Sequence, residues 1–410
     1  MTIRFVFGDQ SRFGVSVVAG VLMLLSVSGC TLQNPDVSSV PEAEVQRLLD
    51  SELLLADANP EAVRAAETLL SEDPLAVNAD MERFIHAYVS SESAPVSKLQ
   101  QLLQALLHGG LLGISYNPMK TYSAAETFYY QEGNCLSFSL LMVALGREVG
   151  LKVRFNEVQV PPSWDMQSAR TQVNYRHMNV VVNAGRQRRI VDINLGNYRE
   201  EYDQDLVPDE YAVAQYYNNL AMESLIDGEP AAAFLLLREA LALQPDVSFL
   251  WGNLGTVYRR GGHYREAEVA YLKGLQLHSG DLMIVSNLGR LYRQLGDLEQ
   301  AQHYEQLAAR YRARNPYYRY SQAGEAFASQ KLDSALENIT AAIEGHNQDS
   351  RFYGLAAQIN SALGRKGEAQ RQLQKAIVLA RDESQKRQYQ KWLAELTPQH
   401  MGELTTLERD

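Results

Sequence analysis

Residues 133–150 read GNCLSFSLLMVALGREVG. After Cys135 the run is almost wholly apolar until Arg147 and Glu148, and Gly150 supplies a stop signal. An apolar run with no polar stripe is a helix buried on all sides, and Cys135 stands in its first turn. Unpaired amides and aligned peptide dipoles there favour an anion, which suits a thiolate.

Working outward, Lys152 to Val160, His177 to Val182 and Arg188 to Ile193 alternate in polarity and read as antiparallel strands. A loop containing Pro161, Pro162 and Trp164 follows the first. A hairpin turning at residues 183–186, with a loop of two or four residues, pairs positions whose numbers sum to 369. His177 then faces Asp192 with Cβ atoms about 4.5–5.5 Å apart, close enough for a carboxylate to hold an imidazole. A three-residue loop would put Asp192 on the opposite face. Asn194 shares the face of Asp192 and is the rival orienting group, but in this register it pairs with Tyr175.

A cysteine on a helix followed by histidine and aspartate on adjacent strands resembles the transglutaminase-like superfamily of papain-like folds, over roughly residues 115–195. The resemblance rests on Gly133-Asn134-Cys135, the helix ending at Gly150-Leu151, His177 near a strand start and Asp192 fifteen residues on. It implies an α+β domain with Cys135 as nucleophile, His177 as general base and Asp192 as orienting carboxylate, and no cofactor. Chemistry supplies the same roles: a thiolate attacks an acyl carbon, an imidazole shuttles the proton, and a carboxylate fixes its tautomer. The oxyanion would meet the Cys135 N–H and one further donor that the sequence does not name. Two positions depart from the family: Asn179 stands where many members have an aromatic residue, and Asn134 replaces an acidic one. Both bear on substrate binding more than on the triad. The stretch from Gly133 to Leu151 also resembles a bacterial branch joined to tetratricopeptide repeats, some of whose members lack the cysteine that this chain keeps.

The C-terminal half repeats with a period of 34, placing alanine at 233, 267, 301, 335 and 369. Small residues recur at Ala221, Gly255, Gly289, Ala323 and Ala357, and again at Ala240, Gly274, Ala308, Ala342 and Ala376. Such positions mark close helix–helix approach. Gly228, Gly262, Gly296 and Gly364 fall at the turns, with Gln330 as the one departure. The array resembles five tetratricopeptide repeats over residues 214–383, an all-α solenoid that implies a bound protein or peptide. Asn219, Asn253 and Asn287 share one phase and either present amides to a peptide or form a ladder between repeats. Arg259, Arg290 and Arg293 lie close by in phase and suit an acidic group or a C-terminal carboxylate, or simply a solvated face.

At the other end, Arg4 and Arg12 precede an apolar stretch from Phe13 to Val27, too short to span a bilayer comfortably. Val27-Ser28-Gly29-Cys30 resembles the bacterial lipobox, which implies cleavage before Cys30 and a diacylglycerol on its sulfur. Thr31, rather than Asp, at the next position points to the outer membrane. Cleavage would leave 381 of the 410 residues with net charge −12 against −11 for the whole chain. That acidity argues against nucleic acid as a partner. With Cys30 lipidated, Cys135 would be a lone thiol in an oxidising compartment, and reactivity is the leading reason to keep one there.

The expected order is therefore a leader over 1–29, a linker over 30–40, helices over 41–112, the transglutaminase-like domain over 113–200, a linker over 201–213, repeats over 214–383 and a capping helix and tail over 384–410. The linker carries Asp203, Asp205, Asp209 and Glu210, whose spacing is not that of a calcium loop. No zinc set, phosphate loop or serine elbow is present in the sequence. Two functions fit: a lipid-anchored cysteine hydrolase or acyltransferase whose repeats recruit the substrate, facing the periplasm, or a non-catalytic adaptor that scaffolds envelope enzymes.

Overall fold

The computed structural model describes residues 40–56, 58–160, 177–194, 202–380 and 382–396. The leader, Cys30, Tyr175 and the loop with Pro161, Pro162 and Trp164 lie outside the described residues. The described chain divides into two compact units. One takes the chain up to Val158, the following two strands and the stretch from Gln204 to Gln306; the other takes Gln159, Val160, Tyr202, Asp203 and the chain from Leu307.

The first unit opens with α1 (Glu42–Leu49), α2 (Pro60–Ser71), α3 (Ala79–Tyr88) and α4 (Pro95–Leu107). Next come β1 (Ser115–Tyr116), α5 (Ala124–Tyr130), β2 (Glu132–Gly133) and α6 (Cys135–Glu148), the helix of the opening stretch. β1 and β2 pair in parallel, which brings Tyr116 opposite Gly133 just ahead of the cysteine. The main sheet is antiparallel, built from β3 (Lys152–Val158), β4 (His177–Ala184), β5 (Gln187–Val191) and β6 (Gln204–Leu206) in the order β5-β4-β3-β6. α6 packs on β3 and β4 with every side chain from Leu136 to Leu145 buried. Gly146 allows the close approach, since a Cβ there would sit 2.6 Å from Val153 Cγ2. Leu102 and Leu106 of α4, Phe138 and Leu141 of α6, and Phe155, Val180 and Val182 of the sheet complete this core.

The β4–β5 hairpin corrects the expected register. Val180 pairs with Val191 and Ala184 with Gln187, so paired numbers sum to 371, not 369. The loop is Gly185-Arg186, and Gly185 takes φ +66°, as the first central residue of a type II′ turn requires. The turn therefore sits one residue further along than the alternation of the strands suggests. Parity is kept, so Asp192 stays on the face of His177. In this register, however, Asp192 falls opposite Asn179, and Asn194 falls opposite His177 rather than Tyr175.

Helical hairpins come next. The first unit holds α7 (Asp209–Ile226) with α8 (Pro230–Leu243), α9 (Ser248–Arg260) with α10 (Tyr264–Leu277), and α11 (Leu282–Leu295) with α12 (Leu298–Arg314), whose last turns pass into the second unit. The second unit holds α13 (Pro316–Ala328) with α14 (Leu332–Gly345), α15 (Ser350–Ala362) with α16 (Lys366–Leu379), and α17 (Glu383–Leu396). The periodic alanines at 233, 267, 301, 335 and 369 have no exposed surface. The turn glycines take φ between +74° and +87°, and Gln330 adopts φ +60° at the same phase.

The reading of 201–213 as a solvated linker is corrected in part: residues 204–206 are β6, and α7 begins at Asp209, which pairs with Arg147 at 2.5 Å. The N-terminal helices also divide. α1 and α2 lie on α10 and α8, with Tyr258 Oη donating to the Leu48 carbonyl at 2.5 Å, while α3 and α4 pack on the α6 and sheet core. Among the described residues no helix is long and apolar enough to cross a membrane.

Candidate active site

Cys135 is the first residue of α6, and its placement is built from the residues before it. Asn134 caps the helix: its Oδ1 accepts from the Ser137 N–H at 3.0 Å and from Ser137 Oγ at 3.1 Å, while its Nδ2 donates to Thr121 Oγ1 at 2.8 Å. Asn134 thus gives a neutral cap where an acidic one is expected, and leaves the end of the helix without a carboxylate. With Ser137 N taken by the cap side chain and Phe138 N by the Asn134 carbonyl, the amides of Cys135 and Leu136 head the helix and are positioned to receive an anion.

Ser139, one turn on, sets Cys135 against β4. Its hydroxyl lies 2.7 Å from the Cys135 carbonyl and 3.3 Å from the Met178 carbonyl, next to His177. Cys135 itself is a half-buried free thiol. His177, the first residue of β4, is 5% exposed. Its Nε2 lies 2.5 Å from Asp192 Oδ2, a carboxylate whose side chain is 1% exposed. Cys135 is the other neighbour that acts on the imidazole. Burial alone would push the imidazole down. Asp192 and Cys135 outweigh it, and the His177 pKa is raised to about 10.

The two-residue shift in register is why the His177–Asp192 contact runs diagonally across the hairpin. Asp192 lies just beyond the last ladder pair, Val180–Val191, where the chain leaves β5. From there it reaches His177 and also takes Asn179 Nδ2 at 3.2 Å and the Asn194 N–H at 2.9 Å. Asn194, the rival orienting residue, contributes its backbone amide to Asp192. Behind Asn179 stands Asn156 of β3, whose Nδ2 donates to Asn179 Oδ1 at 2.8 Å. Asn156 does not stand out in the sequence, since its pairing depends on a β3–β4 register that no short turn fixes.

A second group of residues missed by sequence reasoning ties α7 to the cap. Glu223 Oε1 accepts from the Thr121 N–H at 3.0 Å, and Thr121 in turn receives Asn134. Burial raises the Glu223 pKa, with the Thr121 bonds opposing it. Lower on α7, Tyr211 Oη and Gln215 Nε2 donate to the buried carboxylate of Glu157 at 2.9 and 3.0 Å. Among the described residues there is no group of histidine, cysteine and acidic side chains able to hold a metal ion.

The repeat positions behave differently. Asn253 Nδ2 donates to Asn218 Oδ1 at 2.6 Å, Asn287 Nδ2 to Thr256 Oγ1 at 3.4 Å, and Asn219 Oδ1 lies 3.5 Å from Asn218 Nδ2. These bonds run mostly from one repeat to the next, which favours the ladder over the peptide contact. Arg293 is exposed and engages Glu305 at 2.6 Å, and Arg290 reaches Asn287 Oδ1 at 3.5 Å. Arg259 lies against Tyr271, with its Nε buried and unbonded among the described residues.

Residues 82–186 match the family model of the transglutaminase-like superfamily core, and residues 285–314 match that of a tetratricopeptide repeat. This chain carries a transglutaminase-like core and tetratricopeptide repeats. The core match takes in Cys135 and His177 and stops at the β4–β5 turn, six residues before Asp192. Solved structures with likeness to the chain include the APC/C hetero-tetramer Cut9-Hcn1, at 15% identity over 45% of this chain and 36% of that one, with a TM-score of 0.24. Others are YrrB, described as a TPR protein with an unusual peptide-binding site, at 22% identity over 43% of this chain and 92% of that one, TM-score 0.23, and pilF of Pseudomonas aeruginosa, at 20% over 45% and 83%, TM-score 0.24. The chain thus spans about a third of the first of these. Likeness at this level carries no argument about function. A search of curated proteins returns no significant match.

Proposed function

We propose that this chain is a cysteine acyl-transfer enzyme, anchored by a lipid on Cys30 to the outer membrane and facing the periplasm, whose repeats bring a protein or peptide substrate to a transglutaminase-like core. The observation that carries the reading is His177, bonded to Asp192 and close enough to the thiol that heads α6 for Cys135 to help hold its proton. In the reaction the Cys135 thiolate attacks an amide carbonyl carbon, and the oxyanion is received by the first amides of α6. The His177 imidazolium protonates the amine, the C–N bond breaks, and a thioester remains. His177, now neutral, takes a proton from water or an incoming amine, which attacks the thioester; collapse of that adduct releases the acyl product and restores the thiolate as its ion pair with His177. Water gives hydrolysis and an amine gives transfer, through one intermediate.

p-Nitrophenyl acetate tests the chemistry without knowledge of the substrate. The full chain should release a burst of p-nitrophenolate with an acetyl group on the Cys135 peptide. Loss of the base in His177→Ala should slow acylation by about 10²–10⁴-fold. Equal acylation rates in wild type and His177→Ala would mean an ordinary thiol and would leave the repeats as the functional part.

A further inference from the structure

Asp192 is held from three sides among the described residues: His177 Nε2 at 2.5 Å and Asn179 Nδ2 at 3.2 Å share Oδ2, and the Asn194 N–H meets Oδ1 at 2.9 Å. A side-chain amide can turn over and exchange its oxygen for its nitrogen, and only one of those orientations donates to a carboxylate. Asn156 sets the orientation of Asn179, its direct partner across β3 and β4. Its Nδ2 donates to Asn179 Oδ1 at 2.8 Å and to Gln204 Oε1 at 3.1 Å. Both amide hydrogens are thereby used, and Asn179 must present its own Nδ2 to Asp192. The Asn156 side chain has no exposed surface, and its Oδ1 is left without a hydrogen-bond partner among the described residues. A buried amide oxygen is rarely left unpaired, and such losses gather where a fold serves its chemistry. Turning Asn156 over would set its oxygen against two other oxygens.

We propose that Asn156 and Asn179 are positioning residues: a relay of amide polarity from β3 through β4 that keeps the Asp192 carboxylate turned toward His177. This rests on the acyl-transfer reading and adds to it the groups that orient the orienting carboxylate. The titratable groups that meet here are Asp192 and His177, with Cys135 of α6 beyond the imidazole; Asn156 of β3, Asn179 of β4 and Gln204 of β6 are neutral.

The test is alkylation of Cys135 by iodoacetamide in the full chain across about pH 5 to 11, resolved by mass spectrometry of the Cys135 peptide. Asn179→Leu and Asn156→Leu should raise the lower midpoint of the reactive window by about one pH unit, roughly tenfold less alkylation at its acid edge. Asp192→Asn should move it further in the same direction. Asn179→Ser, which adds no bulk to the strand, stands in where a leucine variant melts abnormally. Midpoints equal to wild type in the folded Asn179 and Asn156 variants, with Asp192→Asn shifted, would overturn the relay and leave the triad standing, and so would a lower melting temperature with unmoved midpoints. If Asp192→Asn and His177→Ala also leave the profile unchanged, the acyl-transfer reading itself falls.

Discussion

His177 is where burial and charge compete most directly, and the outcome can be read in stability as well as reactivity. Its pKa is about 10 in the fold against 6.5 for the unperturbed side chain. A base raised in this way stabilises the folded state fully below the unfolded value, and that contribution is lost as pH rises through the folded one. Wild type should therefore lose stability relative to His177→Gln between pH 6.5 and about 10, read from urea midpoints. A difference that stays flat over that window would show that the folded imidazole holds its proton no tighter than the unfolded one. That Cys135, His177 and Asp192 would come together was legible in the sequence because a cysteine on a helix followed by histidine and aspartate on adjacent strands is an uncommon order. Asn156 and Asn179 were not legible as a pair: Asn179 stood out only as a departure, and Asn156 looks like any polar strand residue until β3 and β4 are in register. Thr121 and Ser139 act through hydroxyl bonds that no spacing rule anticipates.

At the scale of the element, the sequence fared best where a period or an unbroken apolar run left one solution. α6 and the 34-residue array are of this kind. The β4–β5 hairpin was harder, because Ala184, Gly185 and Arg186 allow two turns of the same parity and only the φ of +66° at Gly185 selects between them. α1 stops at Leu49, and just beyond it Ser51 Oγ accepts the Leu53 N–H and turns the chain. Two predictions belong here. Asn134→Ala removes the α6 cap and should cost about 1 kcal/mol in urea denaturation, and because Thr121 loses its partner too, the effect should exceed that of the half-buried cap change Asn315→Ala. Gln330 holds a left-handed conformation at φ +60° where four other repeat turns have glycine. That conformation costs a non-glycine residue roughly 1–2 kcal/mol, so Gln330→Gly should raise the melting temperature of the unit containing α13 to α17, and an unchanged or lower value would count against strain there.

Across the first unit, the divisions expected from the sequence are crossed by hydrogen bonds. α7 is the first helix of the repeats and also meets the transglutaminase-like core at three points: Asp209 on Arg147, Tyr211 and Gln215 on Glu157, and Glu223 on Thr121. The N-terminal α1 and α2 rest on α10 and α8. A core and a repeat array joined this way should unfold together, with pulsed alkylation of Cys135 and hydrogen exchange in α9 giving one urea midpoint. Tyr211→Phe takes a donor from a buried carboxylate, at a cost of about 1–3 kcal/mol, and should lower both midpoints equally. Two separate transitions would show the core and repeats to be independent. In the second unit, Arg351 pairs with Asp349 and lies 5.2 Å from the Tyr202 ring centroid, 5.8 Å from that of Tyr317 and 5.9 Å from that of Tyr320, which gives Tyr317 and Tyr320 an internal role.

The double duty of α7 bears on how such a chain can be recombined. A crossover between residues 201 and 213 looks like the natural seam, yet it would strip β6 from the sheet that carries His177 and leave Glu157 and the Thr121 amide facing water. Because α8 and α10 also seat α2 and α1, a lineage that exchanges repeats while keeping this core must inherit the chain intact through Leu277 and vary only the hairpins beyond it.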